Sequence, residues 1–165
     1  MYDILIKNDN TVVINNKSKY LIMQHSSMVD TLRVLVDKFY TEGQDMSEFT
    51  CIMEYLLPCT KKYKMEVLEQ LVEDDTPEVE DKYKDYVKYT VPINSELTEE
   101  AGDVEIQFTF AKKSTDNYGG DTGNDQIRKT DKTKLTITPI TEWANVRIDV
   151  FNDEMEKIIT PIPSI

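Results

Sequence analysis

At 165 residues, with 39% apolar and 30% charged residues, the chain is long enough to bury one core without disulfide or metal staples, and too apolar to stay disordered. The net charge of −12 argues against nucleic acid, whose phosphates it would repel, and against an anionic membrane surface. The excess is local: residues 66–105 hold fourteen Asp and Glu against three Lys, a face that suits solubility or a basic partner surface.

The start, Met1-Tyr2-Asp3-Ile4-Leu5-Ile6, carries neither a basic leader nor a long apolar run, so no signal peptide and no membrane span are expected. Residues 2–6 and 11–14 are short apolar runs around Asn8-Asp9-Asn10. They predict a small hairpin or two edge strands within an N-terminal arm over 1–19. A strand follows over 20–23. Leu32, Val34 and Val36 then alternate with Arg33, Leu35 and Asp37. Leu35 on the polar parity predicts a strand covered on both sides. Residues 41–47 read as a connection. The nearly continuous apolar run 49–57 reads as a central sandwich strand, stopped by Pro58.

Residues 62–71 fit two patterns. Tyr63, Met65 and Val67 share one strand parity, whereas Met65, Leu68, Leu71 and Val72 fit a helix face. The strand, ending near Leu68, is the preferred reading. The acid-rich stretch 73–81 reads as an exposed loop. A strand is predicted over 83–91, with Tyr83, Val87, Tyr89 and Val91 inward. Pro92 ends it.

An acidic turn over 95–101 leads into Gly102-Asp103. Then Val104, Ile106, Phe108 and Phe110 point one way, and Glu105, Gln107 and Thr109 the other. This is the clearest strand in the chain. Residues 114–126 are a Gly/Asp/Asn-rich loop, and 127–139 read as one last strand with Leu135 and Ile137 inward. Trp143 reads as a plug between sheets, and a helical turn is expected over 152–157. The count and spacing predict an all-β fold, an antiparallel immunoglobulin-like β-sandwich over 1–144 with short N- and C-terminal extensions, the latter over 145–165.

Few residues invite chemistry. If 58–60 is a hairpin turn, Cys51 faces the region of Val67 rather than Cys59, so no disulfide is expected and a reducing cytoplasm suits the chain. His25, beside Ser26 and Ser27, lacks a nucleophile elbow and reads as a turn histidine. One His and two separated Cys cannot make a usual zinc site. The loop from Asp116 to Asp125 could wrap calcium, but its spacing departs from the EF-hand and it reads as a surface loop. Asp74 and Asp75 read as a solvated pair. No cofactor, no metal and no catalytic set is predicted.

Three segments then form an ordered set: Thr50-Cys51-Ile52-Met53-Glu54-Tyr55 with Leu57-Pro58, the run from Val91 to Glu105, and Ile127-Arg128-Lys129-Thr130 leading to residues 135–140 and Trp143. In that order and spacing they resemble the N-terminal immunoglobulin-like module of phage baseplate upper proteins and related virion fibre proteins of phages of Gram-positive hosts. The resemblance covers roughly residues 20–145. It implies a non-enzymatic structural module that attaches a longer part to the virion, made in the host bacterial cytoplasm. Longer members continue past the Trp into helical segments and a receptor-binding domain; the sequence here ends soon after Trp143.

The implied role is therefore a capsid decoration or head-fibre-base protein on a repeating virion surface. A baseplate or tail component that attaches a receptor-binding protein is the alternative. A carbohydrate-binding module using Trp143 and Tyr118 is a second one. The expected partners are the major capsid protein or tail and baseplate proteins, with a homo-oligomer on the virion, no nucleic acid and no membrane. The candidate partner contacts are the apolar ends: Tyr2, Ile4 and Ile6 at the start, Ile159, Ile162 and Ile165 at the finish, since extended termini can add strands to a neighbour.

Overall fold

The computed structural model describes residues 1–15, 21–71, 81–113 and 125–140. Eleven strands appear in chain order among them: β1 (Tyr2–Ile6), β2 (Val12–Asn15), β3 (Ile22–Met23), β4 (Thr31–Val36), β5 (Thr50–Leu56), β6 (Tyr63–Val67), β7 (Glu69–Leu71), β8 (Val87–Pro92), β9 (Gly102–Lys112), β10 (Gln126–Lys129) and β11 (Thr133–Thr138). Short 3-10 turns occupy Thr41–Gly43, Met46–Glu48 and Asp81–Tyr83.

The strands form two sheets. The first runs β2-β1-β4-β8-β7; the second runs β3-β11-β9-β5-β6, with β10 also pairing β9. The core lies between them. Val104, Ile106, Phe108 and Phe110 of β9 are fully buried, as their alternation predicts, and meet Cys51, Met53 and Tyr55 of β5. The first sheet answers with Ile4, Ile6, Leu32, Val34, Val36, Tyr89 and Val91. Each such large side chain contributes about 1.5–3 kcal/mol when fully removed from water. Tyr89 and Phe110 meet edge to face, with centroids 5.8 Å apart.

The all-β sandwich-like arrangement agrees with the sequence reading; its strictly antiparallel character does not. β1 runs parallel to β4, with Tyr2 beside Leu32 and Ile6 beside Val36, and β3 runs parallel to β11. After the β1–β2 hairpin the chain crosses to the second sheet as β3, then returns beside β1. Alternation reports which face a residue occupies and is silent on strand direction. Leu35 is buried, as its place on the polar parity suggests, and so is Arg33, whose guanidinium takes both carboxylate oxygens of Asp3 at 2.7 and 2.9 Å. The parallel register sets those two residues side by side.

Three further differences have local causes. The helix alternative for 62–71 gives way to β6 and β7, which belong to different sheets: the chain passes between them at the buried Leu68, whose N–H donates to the Cys51 carbonyl. The strand expected over 83–91 begins only at Val87, because the 3-10 turn Asp81–Tyr83 precedes it. The single last strand is two. Residues of β10 and β11 both pair β9, but the register steps by one, so Asp131 and Lys132 share the position opposite Gln107. This β-bulge flips the parity: Arg128 faces inward before it, Leu135 and Ile137 after it.

The acidic turn has a structural duty. Glu100 accepts from the backbone N–H groups of Cys59 and Thr60 and from the Thr60 hydroxyl, at 2.7, 2.9 and 2.6 Å. These bonds hold its carboxyl below the ordinary glutamate range. Gly102 follows with φ of 122°, and a Cβ there would lie 3.0 Å from the Pro58 Cβ. Glycine is needed for both conformation and space.

Candidate functional site

The outer face of the second sheet and its β6 edge are the most developed surface among the described residues. Tyr63, Met65 and Val67 alternate along β6 and remain 55%, 54% and 60% exposed. Of the other exposed large apolar side chains, Leu21, Met28, Val29 and Phe39 sit in turns and connections, and Val13 and Ile127 stand singly on β2 and β10. Only on β6 do three share one strand face. Ile52 and Leu56 of β5 stand beside Val67 and Tyr63 and are half-buried, which widens the stripe.

A polar row crosses the same face. Glu54 accepts from the Tyr63 hydroxyl at 2.8 Å and from the Thr109 hydroxyl at 3.1 Å, and Lys129 Nζ lies 3.5 Å away. Burial alone would raise the Glu54 carboxyl. The bonds from Tyr63 and Thr109 and the Lys129 charge outweigh it and hold the carboxyl below its ordinary range. The Tyr63 phenol is pushed up, chiefly by its bond to Glu54. A shallow cleft of about 180 Å³ opens beside this row, lined by Leu56, Tyr63, Glu105, Gln107 and Lys132 among others. A carboxylate held below its ordinary range is ionised at neutral pH, so Glu54 stands there as an acceptor for Tyr63 and Thr109.

Under the β6 edge, on the inner side, Lys64 Nζ lies 3.7 Å from Glu96, and Glu66 accepts from Asn94 and from the Tyr55 hydroxyl. Burial first, then the Glu66 charge, pushes the Tyr55 phenol up.

A second cluster occupies one end of the sandwich. Arg128 is 7% exposed. Its guanidinium lies 3.7 Å from the centre of the Tyr40 ring, Nε donates to Asn10 Oδ1 at 2.7 Å, and Nη2 donates to the Lys7 carbonyl at 3.1 Å. Nη1 has no hydrogen-bond partner. Asn10 in turn donates to the Tyr40 hydroxyl and accepts from the Asp131 N–H through its carbonyl. The arginine thus ties the β1–β2 turn to the bulge and to the connection before β5. Burial lowers its pKa from the ordinary value. A cleft of about 280 Å³ adjoins it, lined by Tyr40, Glu42, Gln44, Phe49 and Ile127 among others. The bulge hid this arginine from a parity reading. A usable signal was residue choice: both arginines of the described residues, Arg33 and Arg128, are buried, while lysines serve the surface.

The sequence-derived contacts fall elsewhere. Tyr2, Ile4 and Ile6 are core residues, 3%, 0% and 1% exposed, on a strand flanked by β2 and β4. A side chain packed between sheets cannot also meet a partner, so the N-terminal anchor is corrected to a core strand. Ile159, Ile162 and Ile165 lie outside the described residues, as do Asp74, Asp75, Asp116, Tyr118, Trp143 and the 152–157 turn. His25 is exposed in a turn with φ of 68°, its N–H donating to the Thr98 carbonyl. Cys51 is buried in β5 and Cys59 exposed, both free thiols, and burial pushes the Cys51 thiol up. Among the described residues no group of three His, Cys, Asp or Glu could hold a metal ion, and no helix is long and apolar enough to cross a membrane.

No protein-family model matches the chain, and no curated protein matches it. Among solved structures it is similar to the N-terminal domain of phage TP901-1 ORF48, with a TM-score of 0.42 and 11% sequence identity, over 83% of this chain and 95% of that one.

Proposed function

We propose that this chain is a non-enzymatic bacteriophage virion structural module that docks on a repeating virion surface, as a capsid decoration or head-fibre-base protein. One observation carries the reading. The three segments whose order resembles phage attachment modules lie apart in sequence and become β5, the end of β8 with the first residues of β9 (102–105), and β10 with most of β11. Of these, β5, β10 and β11 all pair with β9. The resemblance therefore falls mainly on strands that share the second sheet, where Leu135, Thr136 and Ile137 of the third segment face Val104, Asp103 and Gly102 of the second, and it reaches the first sheet at the end of β8. The exposed β6 stripe on that sheet supplies a surface suited to protein contact. The acidic balance favours a basic patch on the partner.

The test uses labelled, purified protein and particles of the phage that encodes it. Heads and tails are separated and imaged with the label. Label on the heads at many positions is the expected result. Label confined to the tail tip replaces the decoration role with the baseplate one. Absence of the chain from the particle proteome, together with no binding to particles, overturns the virion reading.

A further inference from the structure

The β6 strand reads Tyr63-Lys64-Met65-Glu66-Val67, apolar and charged residues in strict alternation. It closes the second sheet on one side. β5 is its neighbour, and among the described residues no strand pairs with its other edge.

The ladder with β5 determines which backbone groups point outward. Leu57 donates its N–H to the Lys62 carbonyl, and Leu68 donates to that of Cys51. Bonded and non-bonded pairs alternate along an antiparallel ladder. Lys64 and Glu66, opposite Tyr55 and Met53, are therefore bonded to β5, whereas Tyr63, Met65 and Val67 direct N–H and C=O toward the open edge. These are the same residues whose side chains form the exposed apolar stripe. One trio offers both a hydrogen-bonding edge and an apolar surface.

We propose that β6 pairs antiparallel with β6 of a second copy of this chain, about a two-fold axis through Met65, merging the two second sheets into one. The occupant follows from register. A two-fold perpendicular to the sheet keeps the outer faces of both copies on one side, so a centred residue must face itself. Centring on Lys64 sets lysine against lysine, and centring on Glu66 sets glutamate against glutamate. Like charges directly opposite are destabilising. Centring on Met65 sets Lys64 opposite Glu66 of the second copy, twice, and Tyr63 opposite Val67 of the second copy, twice. In that register the bonded pairs are those built from Tyr63, Met65 and Val67, the residues whose backbone groups already face outward. A charged residue on an edge strand ordinarily deters pairing. Here the strand's own Glu66 neutralises that deterrent in one register, so β6 is complementary to itself. A foreign strand would have to bring the same alternation. This pairing rests on β6 alone and is independent of the virion reading.

The test is sedimentation velocity of the full chain over a wide concentration series, with circular dichroism to verify each variant's fold. The wild type forms a dimer. Met65→Pro removes an outward N–H while leaving the β5 ladder intact, and it raises the dimer dissociation constant at least about tenfold. Lys64→Glu alone and Glu66→Lys alone are each monomeric, because each sets like charges opposite in the central register. Their equimolar mixture restores the dimer, since one variant carries two acidic and the other two basic residues at the paired positions. A wild type that stays monomeric throughout overturns the proposal. So does a folded Met65→Pro variant that dimerises as the wild type does, or a mixture of folded single variants that stays monomeric. Should Met65→Pro fail to fold, the charge-swap mixture decides alone.

Discussion

Tyr89→Phe tests how the connection before β5 is fastened to the core. The Tyr89 hydroxyl lies 2.8 Å from both the Met46 and the Phe49 carbonyls in a buried position, and its one proton is shared between them. Its ring packs on Phe110 and stays in place when only the oxygen is lost. No cavity larger than one atom forms, so the cost is that of leaving buried acceptors short of a donor. The Met46 carbonyl keeps a second donor, the Phe49 N–H at 3.1 Å, which limits the penalty. The expected loss is about 1–2 kcal/mol. For a chain of this size that lowers Tm by about 2–8 °C. Urea unfolding at neutral pH measures it, with an unchanged m value showing that the native state is equally compact. Tyr89→Ala removes the ring as well and costs about 3–5 kcal/mol. A Tyr89→Phe variant as stable as the wild type would refute the reasoning, because the buried carbonyls would then need no proton from the phenol.

Three more predictions follow from the β5–β6 turn and its neighbours. Gly102→Ala forces a side chain into a φ of 122° and within 3.0 Å of the Pro58 Cβ, costing about 1–3 kcal/mol in the same unfolding experiment; unchanged stability would show that the turn relaxes freely. The Glu100 carboxyl is held low by its bonds to Thr60 and Cys59, so its contribution is present above the ordinary glutamate pKa and fades as pH falls through the lowered folded value. Melts across the acid range should therefore show Glu100→Gln less stable than the wild type at neutral pH, with the gap closing on acidification; a gap that widens in acid has the wrong sign. A thiol reagent should modify one cysteine quickly in the native protein, the exposed Cys59, and both in guanidinium, since Cys51 is buried with its thiol pushed away from the reactive thiolate. Fast modification of both in native buffer contradicts the burial of β5.

Where the sequence was legible, one physical signal was unopposed. From Val104 to Phe110 of β9 every second side chain is apolar and its neighbours are polar, so the buried face follows from period, while the strand itself runs on to Gly102 and Lys112. Cys51 opposite the region of Val67 followed from hairpin arithmetic, and the ladder places Val67 opposite Ile52 and Leu68 beside Cys51. The rest was hidden for reasons that lie outside periodicity. Strand direction leaves no mark on alternation, so the parallel β1–β4 pair was invisible. A single extra residue at Asp131–Lys132 reversed parity and concealed Arg128. Tyr2, Ile4 and Ile6 read equally well as an arm or as a core strand, because apolar alternation is common to both. The β6 stripe was visible as a parity, but nothing in the sequence says that the odd residues face water rather than the core.

The position of β9 also dictates a schedule for folding. It joins β5 on one side and β10 and β11 on the other, and it pairs Ala111 with Thr50, about sixty residues upstream. A ribosome adding about 5–20 residues per second exposes β5 and β6 for several seconds before β9 emerges. During that interval the hairpin has two open edges instead of one, and its apolar inner face is uncovered. Closing such distant strands is slow, of the order of milliseconds to seconds for β-rich topologies. The nascent chain therefore exposes more open strand edge than the finished one, and the acidic segment that precedes β9 adds like charge to that exposed hairpin.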